Sequence, residues 1–129
     1  MRLINFSLPF GAQVFKALSE EPRIRILHLL HRKNELSISD LEQILDFTQA
    51  KTSRHLTYLK NCGIVNTRKE DQWVFYSIKE EVGEIIRQIM DYLNRDHVLL
   101  KDLENFETLY SNREIAAYKK DQKRWTGNP

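Results

Sequence analysis

The sequence predicts a mainly α-helical domain with one small β-hairpin. Apolar residues recur at helical spacing before residue 60 and after residue 81, and capping residues precede several of these runs. Two runs rich in β-branched and aromatic residues lie between them, at 64–69 and 72–78. The 129 residues, 41% hydrophobic and 29% charged, are typical of one globular domain. We therefore expect a single domain over residues 1–129.

Proline positions predict the starts of the first two helices. Pro9 suits a first helical position, and apolar residues that follow it at helical spacing predict a helix over about 9–18. Ser19 can cap a second helix with Pro22 in its first turn. The apolar surface of that second helix is too wide for an exposed helix, so we expect it to lie in the core.

Capping residues also predict the third and fourth helices. Leu36 and Ser37 can form a short extended piece, and Ser37 with Asp40 makes a capping box for a third helix over 38–45. Thr48 can cap a fourth helix, which Gly63 ends in the left-handed conformation. The fourth helix should turn inward the residues at its i, i+4 and i+7 positions, Thr52, Leu56 and Leu59.

A hairpin and further helices complete the chain. Glu70 and Asp71 separate the two β-rich runs, and a long apolar stripe after them predicts a long fifth helix. Ser111 and Glu114 form a second capping pattern, which predicts a final helix with Ile115, Tyr118 and Trp125 on one side. The predicted order is helix, helix, short strand, helix, helix, hairpin, long helix, final helix, which is that of a winged helix-turn-helix.

Positive charge is concentrated in one short segment of this nearly neutral chain. The whole chain carries a net charge of +2, whereas residues 48–72 carry five basic and two acidic side chains. Such a segment predicts either a face that binds a polyanion or an ordinary solvated face. Charge alone does not separate the two.

Several classes of protein are disfavoured. No apolar run approaches the ~20 residues that span a bilayer, and polar residues interrupt the N-terminal segment, so we expect a mature cytoplasmic protein. The single cysteine, Cys62, cannot form an internal disulfide, and we expect it to be a small buried hydrophobe. No catalytic pattern with believable geometry is present, which argues against an enzyme.

Four segments together resemble the ArsR/SmtB family of bacterial transcriptional repressors. They are "ALSEEPRIRILHLL", "ELSISDLEQIL", "TQAKTSRHLTYLKNCGIV" and "RKEDQWVFYSI", in a core of about 12–90 that is followed by a C-terminal helical extension over about 91–125. The resemblance implies a homodimer built from the first and long fifth helices. The implied interface residues are Val14, Phe15, Leu18, Ile85, Ile89, Leu93, Leu100, Leu103 and Phe106.

The resemblance also implies a DNA-binding face, because the fourth helix of this family enters the major groove and the hairpin wing lies along the backbone or minor groove. The matching residues of the fourth helix are Thr48, Gln49, Lys51, Ser53, Arg54, Thr57 and Lys60, and those of the wing are Arg68, Lys69 and Gln72. Arginine and lysine can donate to guanine, glutamine can pair with adenine, and hydroxyls can hold phosphates. Two copies should read an inverted repeat in double-stranded DNA, with half-sites about 34 Å apart.

Some of these basic residues have alternative roles. Arg54 and Lys60 can each contact DNA or form an intramolecular ion pair instead. Arg23 and Arg25 can reach a phosphate or be occupied by acidic residues, namely Glu20, Glu21 or Asp40. His55 lies at the edge of the apolar seam, where we expect it to pack.

The residues of the two usual metal sites of the family are missing. Ser37 and Ser39 stand where one site has a cysteine pair, and hydroxyls are poor ligands for soft ions. Glu80, Val82, Leu93 and Asp96 stand at the positions of the second site, which leaves too few ligands for zinc. We predict no metal and no cofactor, with the effector unknown.

Other sensing devices stay open. His28 and His31 are three residues apart and form either a relocated metal site or two polar surface residues. The apolar stripe of residues 99–125 continues past the usual end of the family. It enlarges the dimer interface, lines a cavity for an organic ligand, or docks a protein partner.

The main rival function is a winged helix used only for protein–protein contact, since a fold does not by itself determine a function. The basic fourth helix favours DNA, because a protein-docking module would more often present an apolar face there. The sequence thus predicts a homodimeric repressor that binds operator DNA.

Overall fold

A computed structural model describes the backbone of residues 6–125 and the side chains of residues 6–112. Six helices and three strands follow one another in this part of the chain. They are α1 (Leu8–Ala17), α2 (Glu21–Lys33), β1 (Leu36–Ser37), α3 (Ile38–Leu45), α4 (Gln49–Asn61), β2 (Val65–Glu70), β3 (Trp73–Ile78), α5 (Glu80–Leu93) and α6 (His97–Trp125). The predicted mainly α-helical fold with a small hairpin is confirmed.

The hairpin belongs to a three-stranded antiparallel sheet. Its strand order is β1-β3-β2, with Leu36 opposite Tyr76 and Val65 opposite Ile78. The predicted two-residue extended piece is therefore the edge strand that joins the hairpin to the helices. Asp71, with φ at +56°, lies in the turn between β2 and β3.

Helix α2 lies at the centre of the molecule, as its wide apolar surface predicted. It packs against α4, α5, α6 and β3, and α3 packs against α4 and α6. The largest fully buried apolar side chains come from α2, α3, α4 and α5 and from the residue before β2: Ile26, Leu27, Leu29, Leu30, Leu41, Ile44, Leu56, Leu59, Ile64, Ile86 and Met90. One apolar core thus holds the helix-turn-helix, α5 and the sheet together.

Helix caps decide where α1, α3 and α4 begin. Ser7 accepts a hydrogen bond from the N–H of Phe10, and Thr48 accepts one from the N–H of Lys51. The predicted capping box is confirmed, since the Ser37 hydroxyl accepts from the N–H of Asp40 and the Asp40 carboxylate accepts from the N–H of Ser37. Each cap satisfies an N–H group that the helix itself leaves unpaired.

The predicted cap of α2 is wrong. The N-cap residue is Glu20, whose side chain makes no capping hydrogen bond, whereas the Ser19 hydroxyl donates to the carbonyl of Lys16 at 2.7 Å. Ser19 follows Leu18, the C-cap of α1, and the last carbonyls of α1 lack partners within the helix. It therefore satisfies the end of α1 rather than the start of α2.

The helices after the hairpin also differ from the prediction. The apolar stripe is broken between Leu93 and His97, and the Asp96 carboxylate caps α6 by accepting from the N–H groups of Val98 and Leu99 at 2.9 and 3.3 Å. The second predicted capping box is wrong, because α6 runs without interruption past Ser111 to Trp125. The cause is that S-x-x-E acts as a cap only where the preceding residues leave the helix, and residues 97–110 contain no glycine or proline that would end it.

Helix α6 folds back over its own chain. It packs along α2 and α3, with Leu99 and Asp102 buried and Leu103, Phe106 and Leu109 packed against the core. Within the predicted extension stripe, Leu103 and Phe106 thus pack on their own chain, whereas Leu100 and Tyr110 are exposed. Glu114, Ile115, Tyr118 and Trp125 lie outside the residues whose side chains are described. None of the described helices is both long and apolar enough to cross a membrane.

Candidate nucleic-acid interface

The buried side of α4 holds this helix against the core. Thr52, Leu56 and Leu59 are fully buried, as predicted, and the Thr52 hydroxyl donates to the carbonyl of Thr48 at 2.8 Å. At the other end, Gly63 has a φ of +78° and donates to Lys60, while Ile64 donates to Leu59. These two bonds close the helix as a Schellman motif, which favours glycine because of the positive φ. Both ends of α4 are therefore fixed.

The opposite side of α4 is open to solvent. Thr48, Gln49, Ser53, Arg54, Thr57 and Lys60 are exposed, and Lys51 is half-buried. None of the seven predicted residues, which include the N-cap Thr48, belongs to the buried seam. Gln49 and Ser53 are one turn apart on the exposed side, and Arg54 adjoins them. The exposed side chains can donate hydrogen bonds to phosphates and to base edges in a groove.

Two cations on this side make no ion pair. Within the described part of the chain, neither Arg54 nor Lys60 has an acidic side chain within salt-bridge distance. Of the two alternatives open for these residues, the intramolecular ion pair is not formed. Their charges stay available to a polyanion, and exposed charges of this kind give salt-sensitive attraction.

His55 packs into the seam, as predicted. Its side chain is buried, and its pKa is lowered mainly by that burial and also by the positive charges of Arg23 and Arg54. The imidazole is therefore kept neutral beside the exposed basic face. It is not a base-reading group in this arrangement.

Arg23 and Arg25 are both occupied within the chain. Arg23 is buried, donates to the carbonyls of Ala17 and Lys16 at 2.8 and 3.0 Å, and pairs with Glu20 at 2.9 Å. It therefore closes the C-terminal end of α1, and the alternative of an acidic partner is correct for it.

Arg25 pairs with Asp102 of α6, which was not among its expected partners. Its guanidinium donates two hydrogen bonds to that carboxylate, at 2.9 and 3.0 Å. These hydrogen bonds raise the pKa of Arg25. The sequence signal for this pair is a lone acidic residue on the apolar side of an amphipathic helix.

The wing residues fall into two groups. Lys69 and Gln72 are exposed, with no ion pair of Lys69 among the described residues, whereas Arg68 donates to Glu35 at 2.7 and 3.0 Å and to Glu70 at 2.9 Å. These carboxylates raise the pKa of Arg68. Arg68 thus ties the wing to the loop before β1, and a DNA phosphate would have to compete with both acids for its guanidinium.

The predicted interface residues lie in different environments in the single chain. Phe15 is 70% exposed and Leu100 is also exposed, whereas Leu18, Ile85, Ile89 and Leu93 are half-buried. Val14 is buried in the core, and Leu103 and Phe106 pack on their own chain, so these three leave little surface for a partner. Two exposed apolar residues of α1 and α5 were not predicted: Leu8 at 86% and Tyr92 at 90%.

No group of three or more histidine, cysteine or acidic side chains placed for a metal ion occurs among the described residues. The positions of the usual metal sites serve the fold instead, with Ser37 capping α3 and Asp96 capping α6. Cys62, predicted to be buried, is half-buried at the C-cap of α4 and packs against the core.

His28 is the more unusual of the two α2 histidines. It is fully buried, and neither ring nitrogen has a hydrogen-bond partner among the described residues. Burial lowers its pKa most, the charges of Arg32 and His31 lower it further, and Asp102 raises it. It borders a cleft of about 210 Å³ between α2 and α5 that is also lined by His31, Arg32, Met90, Asp91 and Asn94.

Comparisons with known proteins agree with this geometry. The model of a family described as "Bacterial regulatory protein, arsR family" matches residues 17–67. A cadmium resistance transcriptional regulatory protein, CadC of Listeria innocua, is 41% identical over 78 residues, which are 60% of this chain and 66% of that protein, just under two thirds. The arsenical resistance operon repressor of Escherichia coli is 38% identical over 88 residues, 68% of this chain and 74% of the repressor.

Two solved structures match about the same fraction of this chain as these two relatives do. HlyU from Vibrio cholerae has 38% identity and a TM-score of 0.61, covering 65% of this chain and 91% of HlyU. A homodimeric winged helix-turn-helix DNA-binding domain, Mb0332 from Mycobacterium bovis, has 27% identity and a TM-score of 0.62, covering 70% and 83% of the two chains. About a third of the present chain has no counterpart in these matches.

Proposed function

Because the chain belongs to the ArsR family of bacterial regulatory proteins, we propose that it is a homodimeric transcriptional regulator that reads an inverted-repeat DNA site with α4 and the wing. The observation that carries this proposal is the exposed side of α4. It presents Gln49, Ser53 and Arg54 together, and Arg54 makes no ion pair with any described residue. The homodimeric Mb0332 domain, with its DNA-binding winged helix, supports the dimeric form of the proposal.

The wing contributes unequally in this proposal. Lys69 and Gln72 are exposed and can follow the DNA backbone, whereas Arg68 mainly holds the wing against Glu35. Two copies related by a dyad would place their α4 helices in successive major grooves, about 34 Å apart. Repression would follow from occupancy of a site that overlaps a promoter. A cytoplasmic location accords with such a role.

The regulator does not respond to metals through the usual family sites. Ser37 and Ser39 supply no thiolate, and the Ser37 hydroxyl is already the cap of α3. CadC and the arsenical repressor are named for cadmium and arsenic resistance, and we do not carry those effectors over to this chain. The effector, where one exists, is of another kind or binds elsewhere.

The first experiment measures DNA binding against salt. Fluorescence anisotropy with DNA from upstream of the coding region should show specific binding that weakens steeply as salt rises, because phosphate contacts release counterions. Selection from a randomised pool should return a palindromic motif. Weak, salt-insensitive retention would instead favour a protein-docking winged helix, and a non-palindromic motif would contradict the dyad.

A second experiment tests Arg54 by substitution. Arg54→Ala should weaken specific binding by about 1–3 kcal/mol, roughly 5- to 150-fold, and relax preference at one base position. Arg32→Ala is a matched control, because it removes an exposed arginine of α2 beside the α5 cleft rather than on α4. Equal losses on specific and random DNA would make Arg54 a phosphate contact.

A further inference from the structure

A series of four side chains connects α6 to the N-terminal turn of α4. Asp102 of α6 accepts two hydrogen bonds from Arg25 of α2, at 2.9 and 3.0 Å. The Arg25 guanidinium lies over the Phe47 ring, 5.1 Å from its centre, and Lys51 Nζ lies over the same ring at 4.1 Å. We call these four residues the Asp102–Lys51 series. Lys51 is in the first turn of α4, within the proposed DNA-binding face.

Helix α6 also holds the residues next to Phe47. The Asn105 amide donates to the carbonyl of Ile44 at 3.2 Å, and Ile44 is in the last turn of α3. Carbonyls in the last turn of a helix have no partner within that helix. The turn between α3 and α4 is thus fastened to α6 at two points, one through Asn105 and one through Arg25.

The charges of this series explain how two cations can share one aromatic ring. Arg25 and Lys51 would repel each other beside Phe47, but the buried Asp102 carboxylate neutralises Arg25. The negative face of the ring can then attract the Lys51 ammonium. A free lysine side chain loses much rotamer freedom when it binds, and the ring contact orders it beforehand.

From this geometry we infer that α6 is a positioning element for DNA recognition, in which Phe47 orients Lys51 toward DNA and Asp102, through Arg25, holds Phe47. The inference rests on the proposed function of α4. The model of the family matches residues 17–67, so α6 lies outside the matched segment. Helix α6 therefore reaches α4 from outside the segment that the family model matches.

Double-mutant cycles on DNA affinity test the inference. Phe47→Leu and Asp102→Asn are each combined with Lys51→Ala, and binding is measured by anisotropy on the selected site. In the chain with Lys51, each substitution should weaken binding by about two- to fivefold, the strength of one exposed cation–π contact. In the Lys51→Ala background the same substitutions should change binding less than twofold, because the side chain they orient is gone.

A matched control uses the same helix. Glu107→Gln removes an ion pair of α6 with Lys33, at 2.8 Å, that lies outside the series. It should show no coupling to Lys51. The paired substitution Arg25→Met with Asp102→Leu removes both charges at once and leaves no unpaired buried charge. If Asp102→Asn does not fold, the paired substitution takes its place in the cycle.

The outcomes separate the inference from the proposed function. Coupling of Phe47 and Asp102 to Lys51, without coupling of Glu107, supports the inference. Equal losses in both Lys51 backgrounds would show that α6 only stabilises the fold, and would overturn it while specific DNA binding stands. Absence of salt-dependent DNA binding by the unsubstituted chain would overturn the proposed function and the inference together.

Discussion

The substitution Asp102→Asn should lower the stability of the fold far more than its conservative shape suggests. The Asp102 side chain is 1% exposed and its partner Arg25 is 27% exposed, with two hydrogen bonds between them. Asparagine keeps the size of the side chain, but it removes the charge and replaces one acceptor oxygen by a donor. The bidentate geometry with the guanidinium is therefore lost.

The size of the expected loss of stability depends on how deeply each partner of the Arg25–Asp102 ion pair is buried. Removing one partner of a fully buried ion pair costs about 3–5 kcal/mol, because it leaves an uncompensated charge. Arg25 is the group left behind, and its side chain is partly exposed to water, so the cost should be about 2–4 kcal/mol. For a domain of this length, each kcal/mol lowers Tm by roughly 4 °C. We thus expect a decrease in Tm of about 8–16 °C.

Chemical denaturation at fixed protein concentration measures this loss, since the proposed dimer would make the stability depend on concentration. The control is Glu107→Gln, whose exposed pair with Lys33 should contribute less than about 1 kcal/mol. The paired substitution Arg25→Met with Asp102→Leu should recover most of the stability. A loss below 1 kcal/mol for Asp102→Asn would refute a structural role for this ion pair.

Three further predictions concern single residues. His28 has a lowered pKa in the fold, so its contribution to stability is complete above pH about 6.5 and declines as the pH falls below that value. His28→Leu should therefore reduce the loss of stability measured between pH 7 and 5. An unchanged dependence of stability on pH would contradict the role given to His28. Gly63→Ala should cost about 1–2 kcal/mol in urea unfolding because of the positive φ, whereas Gly83→Ala within α5 should cost nothing; equal effects would argue against backbone strain at Gly63. Ser37→Ala should cost about 1 kcal/mol by the same assay through loss of the capping box, and an unchanged stability would argue against a stabilising role of this cap.

Local signals predicted α4 well. A cap at Thr48, an inward-facing seam and a closing glycine all act within a few residues, and the structure has each of them. The exposed side of α4 follows from the same periodicity, because residues opposite a buried seam must face solvent. The prediction that this side contacts DNA remains to be tested by the experiments above.

Signals that depend on context were less reliable. Ser19 and Ser111 both stand in capping patterns, yet one closes the preceding helix and the other lies inside α6. A serine can cap a helix only where the backbone has already left helical geometry, which packing decides. The apolar stripe after the hairpin also gave no sign of the break before Asp96, because apolar residues recur at helical spacing both before and after that break.

Periodicity and caps between near neighbours were enough to predict the order of the elements, the helix-turn-helix with its wing, and the exposed basic side of α4. The folding of α6 back over α2 and α3, and the pairing of Arg25 with Asp102, 77 positions away, could be seen only in the folded chain. The same holds for the pairing of Arg68 with Glu35, 33 positions away. Such pairings depend on how helices and strands pack. The residues around an arginine therefore do not show whether its side chain is free to reach DNA or is held by a distant carboxylate.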